Sequence, residues 1–543
     1  VDNDVGDCDY LARPKGGTLV RERFMGHAKT IARNSLWSLA DSLLGMVSSF
    51  GCSIAVARVM GPDQLGYYNV VTWMANMAAW IAAFGIPAAT RTYAAEAFGR
   101  GDHALARAIV EITSRIQLAL GLTAVAVGLV VVFIAVPPVH RTFAILAVIS
   151  ILPYLMYPMP TAGITATEDL APVVRASLIS TVVIGGGTAV ALVFGWGLVG
   201  LTTAMLASRV VDFGLRQYFY QRIYRTFPAP PAGQKLPPEL KRRLIEFCKQ
   251  ATFMTVLEIV VWERSEVFFL QHFSTMAEVS FFTQPFNWVS QWLLLLPRII
   301  SVAAGASIAV QQGRDPSQTA GLAIGSTRVL MLLILPAAFG LSALASPIIT
   351  VLLGAKYLPS IGVFAFLAVM TLGKGIQLPA RQLLVSTGRQ HLLVRWGVVL
   401  CAVNLVLDLV LIPGRGSMGA AIAKGIILMA GGASIWWIVA VSFRARLPLA
   451  VIARMAIASA AMWALVRTIV AVVPPLPALV LGPPAGIIAI VVLFRVLRCL
   501  EPSDREVLAS LGRKLPAAAR PAWGVMVGFM FPTPPPTATP GAA

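Results

Sequence analysis

The feature that most restricts this chain is a succession of apolar runs, each near the length of one membrane crossing, from about residue 35 to residue 497. A bilayer core about 30 Å thick needs about 20 mostly apolar residues per helix. Of the 543 residues 57% are hydrophobic and 12% charged, against about 45–50% and about 25% in soluble domains. Too few polar residues remain to coat a water-soluble core. That excludes a soluble enzyme, a DNA-binding protein and a secreted disulfide scaffold, and predicts an all-α polytopic membrane protein.

Breaks of Gly, Pro and charge divide the runs into about 14 spans. The first six lie near 35–57, 67–90, 108–135, 142–163, 174–194 and 198–219. A proline-rich connector follows, and eight more lie near 247–270, 279–308, 321–345, 360–384, 394–413, 418–442, 449–472 and 478–497. With the N-terminus cytoplasmic, nearly all Lys and Arg fall inside, leaving Arg58, Arg141, Lys356 and Arg415 in external loops. The positive-inside rule then places both termini in the cytoplasm. The opening VDNDVGDCDY is acidic, and the basic stretch after it runs into a span too long for a cleavable signal peptide.

The expected organisation is a cytoplasmic segment 1–30, a six-helix lobe 31–221, a cytoplasmic connector 222–245, a second six-helix lobe 246–445, an additional helix pair 446–498 and a tail 499–543. An internal echo supports two pseudo-symmetric lobes. PMPTAGITATED (158–169) aligns with PARQLLVSTGRQ (379–390), and MGPDQLGYY (60–68) with STMAEVSFF (274–282). In the tail, EPSDREVLASLGRKL (501–515) reads as a short amphipathic helix on the inner membrane surface, before a Pro-rich disordered end.

The chain holds 43 Lys and Arg against 24 Asp and Glu, a formal net charge of +19. The cations collect between spans, so they read as topology signals and lipid contacts rather than a nucleic-acid surface. Cys8, Cys52, Cys248, Cys401 and Cys499 have no metal or disulfide spacing and read as packing residues.

Ionisable residues inside the spans carry the functional signal, since each costs at least about 2.5–3.5 kcal/mol at a bilayer centre and must face a partner or a wet cavity. Glu111 with Arg115, and Arg209 with Asp212, read as local helix pairs, and Arg467 as a snorkelling end charge. Span seven is denser: EIVVWERSEVFF carries Glu258, Glu263, Arg264 and Glu266, which cannot all satisfy one another and point to an aqueous vestibule. Basic residues at comparable depth (Arg298, Lys374, Arg381, Lys424) suit an anionic headgroup. Pro297, Gly373 and Gly375 beside them are expected to open the helix and widen a cavity. No Walker, HExxH, GxSxG or zinc pattern occurs, so no catalytic residue, metal or cofactor is assigned and the chain is not expected to be an enzyme.

AVARVMGPDQLGYYNVVTW (55–73) and FGIPAATRTYAAEAFGRGD (84–102), followed by LVSTGRQHLL (384–393) and AVNLVLDLVLIPGRGSMGAAIAKGI (402–426), resemble the bacterial polysaccharide-biosynthesis flippases. These belong to the multidrug/oligosaccharidyl-lipid/polysaccharide exporter superfamily, alongside the MATE drug antiporters. The resemblance implies two six-helix lobes around a central cavity. It implies alternating-access movement of undecaprenyl-diphosphate-linked oligosaccharide across the bacterial inner membrane, for exopolysaccharide, capsule or O-antigen. A polymerase and glycosyltransferases of the same pathway are the implied partners. Carried over by position, Arg58, Gly61 and Gly66 form the first external turn, and Arg91 and Glu96 end span two at the inner face. Substrate-contact candidates are Arg298, Lys374, Arg264, Arg381, Lys424 and Arg58. Gating or coupling candidates, for H+ or Na+, are Asp41, Arg91, Glu96, Glu258, Glu263 and Asp408. A cation-coupled drug antiporter, favoured by the span-seven acids, and a membrane polysaccharide polymerase or ligase are the alternatives.

Overall fold

A computed structural model describes residues 17–228, 236–315, 318–501 and 520–531. The described residues are helical and contain no strand. In order the helices are α1 (Gly17–Ala82), α2 (Ile86–Gly99), α3 (His103–Ala135), α4 (Pro138–Ile149), α5 (Ile151–Met156), α6 (Pro158–Ala166), α7 (Ala171–Val193), α8 (Gly197–Tyr224), α9 (Pro238–Trp262) and α10 (Glu266–Phe273). There follow α11 (Met276–Arg314), α12 (Thr319–Ala343), α13 (Ala345–Leu352), a 3-10 turn Ala355–Tyr357, α14 (Ser360–Met370), α15 (Leu372–Ser386), α16 (Gln390–Phe443), α17 (Leu449–Val472) and α18 (Pro475–Val496). The last, α19 (Arg520–Met530), is tied to α18 by Arg495, which donates to the Phe529 carbonyl at 2.8 Å. The amphipathic helix expected over 501–515 lies outside the described residues, apart from Glu501. Large apolar side chains face outward, Ile134 at 81% and Val472 at 85% exposure, as a lipid-facing surface demands.

Ten described segments are long and apolar enough to cross a membrane, fewer than the fourteen expected. Part of the difference is physical. Two of the ten, 42 and 54 residues long, far exceed the roughly 20 residues of one crossing. Each bends at a positive-φ glycine, Gly61 (φ 76°) and Gly416 (φ 52°). In α16 the two halves lie side by side: Trp396 and Trp437 are 6.4 Å apart, and Arg389 at one end donates to the Ser442 carbonyl at the other. Glu278 secures the bend by accepting the Ser417 N–H at 2.7 Å, a carboxylate at the start of the returning helix. In α1, Pro62, Asn69 and Ser53 meet Ser280, Thr283 and Trp288 of α11, so both arms run along α11 from Gly61. Each helix therefore supplies two passes. The stretches paired by the internal echo, 60–68 and 274–282, pack on one another here.

The chain forms two compact units. Among the described residues, the first comprises those within 1–49, 82–190 and 199–251, and the second those within 50–81, 191–198 and 252–543. Residues 50–81, assigned by sequence to the N-terminal lobe, pack with the second unit. In the first, Ala89, Tyr93, Ile109, Ile164, Tyr220 and Tyr224 build a core across α2, α3, α6 and α8. In the second, Val267, Leu270, Phe282, Phe286, Leu367 and Ile412 bring together α10, α11, α14 and α16. Outside the crossings, Tyr357 is fully buried, and burial aided by Asp63 pushes its phenol well above the usual range.

The glycines near Lys374 act differently from expectation. They bring helices together instead of opening a cavity. A Cβ on Gly373 would stand 2.1 Å from the Leu428 carbonyl, and one on Gly432 2.4 Å from the Gly373 carbonyl, so α15 and α16 touch backbone to backbone. Gly432→Val should therefore destabilise the fold by at least about 1–3 kcal/mol, the usual range for overpacking. Gly186→Ala, with nothing within 4 Å of the new Cβ, should be neutral. Thermal unfolding of the two variants in detergent checks the contrast, and equal stabilities would contradict it.

Candidate functional site

The second unit contains a fully buried charge cluster where span seven is interrupted. Between α9 and α10 the helix stops over Glu263–Ser265. The Val267 N–H turns to the Arg264 carbonyl, three residues back, so the Glu263 carbonyl has no helical claim on it. Lys424 of α16 donates its ammonium to that carbonyl. It also pairs with the Glu266 carboxylate at 3.2 Å and sits 5.6 Å from the centre of the Phe286 ring. On the other arm of α16, before the bend at Gly416, Asn404 and Asp408 stand at i,i+4, and the Asn404 amide donates to Asp408 at 3.0 Å and to the Ser265 hydroxyl at 3.0 Å. Lys424, Glu266, Asp408 and Asn404 are all 0% exposed. Broken helices that offer carbonyls to ions at membrane depth are a transporter device. Two carboxylates share one ammonium here, and the Arg264 guanidinium lies within electrostatic reach of Glu266.

Of the residues singled out from sequence, Asp408, Lys424 and Glu263 meet here. Arg264 lies in the same break, half-buried. Glu266, read from sequence with the span-seven charges but given no role of its own, meets them here too, while Asn404 was not singled out. The spacing Glu263 to Glu266 and Asn404 to Asp408 was visible, but nothing in the sequence showed that the two stretches touch.

Arg381 and Glu258 form a second focus, an ion pair at 3.5 Å beside a cavity of about 50 Å³ lined by Leu257, Gln377, Trp396 and Leu400. The other candidates are dispersed. Arg58 caps α13, donating to the carbonyls of Val351 and Leu352, which occupies its guanidinium with a helix C-terminus. Lys374 is half-buried near the start of α15. Arg298 is on α11, and its side chain lies outside the described residues. Arg91 is exposed on α2, while Glu96 pairs with Arg100 at 2.5 Å and with Arg243 at 3.5 Å. Asp41, half-buried on α1, lies within electrostatic reach of Arg216 and Asp212.

In both expected helix pairs the acid takes the arginine one turn away on its other side. Glu111 pairs with Arg107 at 2.8 Å, and Asp212 with Arg216 at 2.8 Å. An acid in mid-helix has neighbours on both sides at this spacing, and the tertiary surroundings select between them. The Tyr224 carbonyl accepts from Arg107, and Thr161 and Ser177 hold Arg216.

Residues 55–362 match the family described as polysaccharide biosynthesis protein. Among solved structures the chain is similar to the lipid II flippase MurJ in an inward closed conformation, with 14% identity, a TM-score of 0.68, and coverage of 86% of this chain and 98% of that one. It is also similar to a multidrug resistance MATE family transporter of the MOP superfamily in an inward-facing conformation, with 15% identity, a TM-score of 0.60 and coverage of 76% and 95%. A MOP superfamily transporter from Pyrococcus furiosus gives 14% identity, a TM-score of 0.57 and coverage of 77% and 96%. At these identities the likeness is one of fold. No curated protein gives a match.

Removing one partner of a buried charge cluster leaves the others uncompensated, at a cost of about 3–5 kcal/mol. Lys424→Met should lower stability by that order. Adding Glu266→Gln to the same chain should recover part of the loss, because it removes a carboxylate the ammonium had answered. Thermal unfolding of wild type, both single variants and the double variant reads the coupling. Strictly additive losses would show that the two side chains do not interact.

Proposed function

Because the chain belongs to the polysaccharide biosynthesis protein family, we propose that it is a flippase, carrying polyprenyl-diphosphate-linked oligosaccharide from the inner to the outer leaflet of a bacterial cytoplasmic membrane by alternating access. The family match carries this reading. The fold likeness, which takes in nearly the whole of a lipid II flippase, supports it. On this reading undecaprenyl diphosphate bears the glycan, both termini are cytoplasmic, and glycosyltransferases and a polymerase act before and after the transport step. The protein catalyses no covalent chemistry.

Energy coupling is assigned to the buried cluster. Glu266 and Asp408 are buried carboxylates beside one buried ammonium, with the Arg264 guanidinium in electrostatic reach of Glu266. A proton on either carboxylate changes that balance without needing a coordination shell. A sodium ion would have to compete with an ammonium that already holds a main-chain carbonyl and a carboxylate. Loading and release of that proton would bias the broken α9–α10 segment between two arrangements. The drug-antiporter reading is favoured by the span-seven acids and by the apolar, Trp396-containing cavity beside Glu258.

Reconstituted into liposomes, the protein should translocate a polyprenyl-diphosphate-linked glycan, faster under an imposed proton gradient. Asp408→Asn should remove the acceleration. Arg298→Ala and Lys374→Ala should cripple transport while leaving membrane abundance intact. Efflux of a lipophilic cation with no glycan movement would instead select the antiporter.

A further inference from the structure

Three otherwise apolar helical stretches of the first unit each present a polar stripe at helical spacing. On α5 and α6 and the residue joining them it is Tyr154, Tyr157 and Thr161, on α7 Ser177 and Ser180, and on α8 Arg209, Asp212 and Arg216. Offsets of three and seven place each set on one face of its helix. The sets converge on a cavity of about 250 Å³ lined by Tyr154, Tyr157, Ser180, Ser208, Arg209, Asp212 and Arg216. Arg209 falls in the middle of a 28-residue helix, at the depth where an idle cation is most costly.

The two arginines have different tasks. Arg216 spends its donors on the protein: Asp212 at 2.8 Å, the Thr161 hydroxyl at 3.0 Å and the Ser177 hydroxyl at 2.7 Å, with the guanidinium 5.1 Å over the Tyr157 ring. It thereby engages Asp212, the carboxylate that lines the cavity, and it also answers Asp41 at longer range. Arg209 reaches the cavity from between the Ser150 hydroxyl, at 2.9 Å, and the face of Tyr154, at 4.4 Å. Ser150 is fully buried and bonded back to the Ala147 carbonyl, so the guanidinium is held by a fixed group.

A guanidinium with its plane set by an aromatic ring is built for a carboxylate or phosphate, which it meets with paired N–H donors. The tyrosine faces add flat apolar surface, while the Ser180 and Ser208 hydroxyls donate to main-chain carbonyls and leave the guanidinium as the donor to an anion. The volume is below the roughly 300–1,000 Å³ of sites that enclose a whole ligand. It suits one ring or one anionic group. We propose that this cavity is a subsite for an oxyanion of the transported headgroup, either a sugar carboxylate or the diphosphate linkage, with Arg209 as its contact and Arg216 as the positioning residue. The proposal rests on the flippase reading for the identity of the headgroup, and on the cavity alone for the oxyanion.

The full chain in lipid nanodiscs, titrated calorimetrically with glucuronate, inorganic diphosphate and glucose, tests it. Glucuronate or diphosphate should bind at least about tenfold more tightly than glucose, and Arg209→Gln should weaken that binding about tenfold or more. Ser208→Leu, which fills the cavity while leaving Arg209 in place, should do the same and decides the matter if Arg209→Gln does not fold. A response to glucuronate alone assigns the sugar carboxylate, and one to diphosphate alone assigns the linkage. Equal binding of glucose, no anion binding by wild type, or wild-type affinity in both variants overturns the subsite. Translocation is measured in parallel: a wild type that moves no lipid-linked glycan defeats the flippase reading and leaves the titration to judge the cavity. Wild-type transport of an acidic glycan by both variants removes the cavity alone.

Discussion

An ionised group at membrane depth cannot be left to itself, and the architecture of the second unit follows from meeting that demand. Lys424 has three N–H donors to satisfy and no water to satisfy them. A continuous span seven would have offered none of its carbonyls, since each would be bonded along the helix. The interruption at Glu263–Ser265 releases one, and the helix restarts with Glu266 at its first position, where a carboxylate is also favoured by the exposed N–H groups of the first turn. The break is thus no lapse in helix propensity. It supplies a carbonyl and a carboxylate to one ammonium within a single turn of chain.

The same economy governs the bends. Gly61 and Gly416 take positive φ angles that a side chain rarely tolerates, and charged residues near the bends hold helix ends. Arg58 covers the last carbonyls of α13, and Glu278 covers the first N–H of the returning arm of α16. A Cβ at Gly416 would stand 2.8 Å from Glu278, so the glycine and its capping carboxylate require one another. Charge that would be unaffordable against lipid becomes useful against an unsatisfied helix end.

How far the sequence could be read follows from the range of each interaction. Hydropathy is local, so the fold class, the helical character and the apolar outer face were legible from it. The echo between 60–68 and 274–282 was legible too, though not that the two copies pack together. Spacing is local as well, but it does not choose a direction: Asp212 is as close along the helix to Arg209 and to Arg216, and only Thr161 and Ser177, from other helices, settle the choice. Lys424 and Glu266 are far apart in sequence, and neither spacing nor composition joins them. Gly373 misled for the same reason. A glycine that loosens its own helix and one that admits a neighbour's backbone look alike until the neighbour is known.

The two units handle buried cations in ways that bear on what each does. In the second, the ammonium of Lys424 meets a carboxylate and a carbonyl of the chain, with a further carboxylate close by, and no part of it reaches solvent. Such a closed group responds to a proton more readily than to a bulky guest. In the first, Arg209 is braced by a hydroxyl and an aromatic ring at the wall of a cavity large enough for a sugar or an anion. A brace of this kind fixes the direction of a guanidinium. Arg216 takes up Asp212, the carboxylate that lines the same cavity. A closed, mutually compensated group and a braced cation at a cavity wall are thus two different answers to the same cost of placing charge at membrane depth.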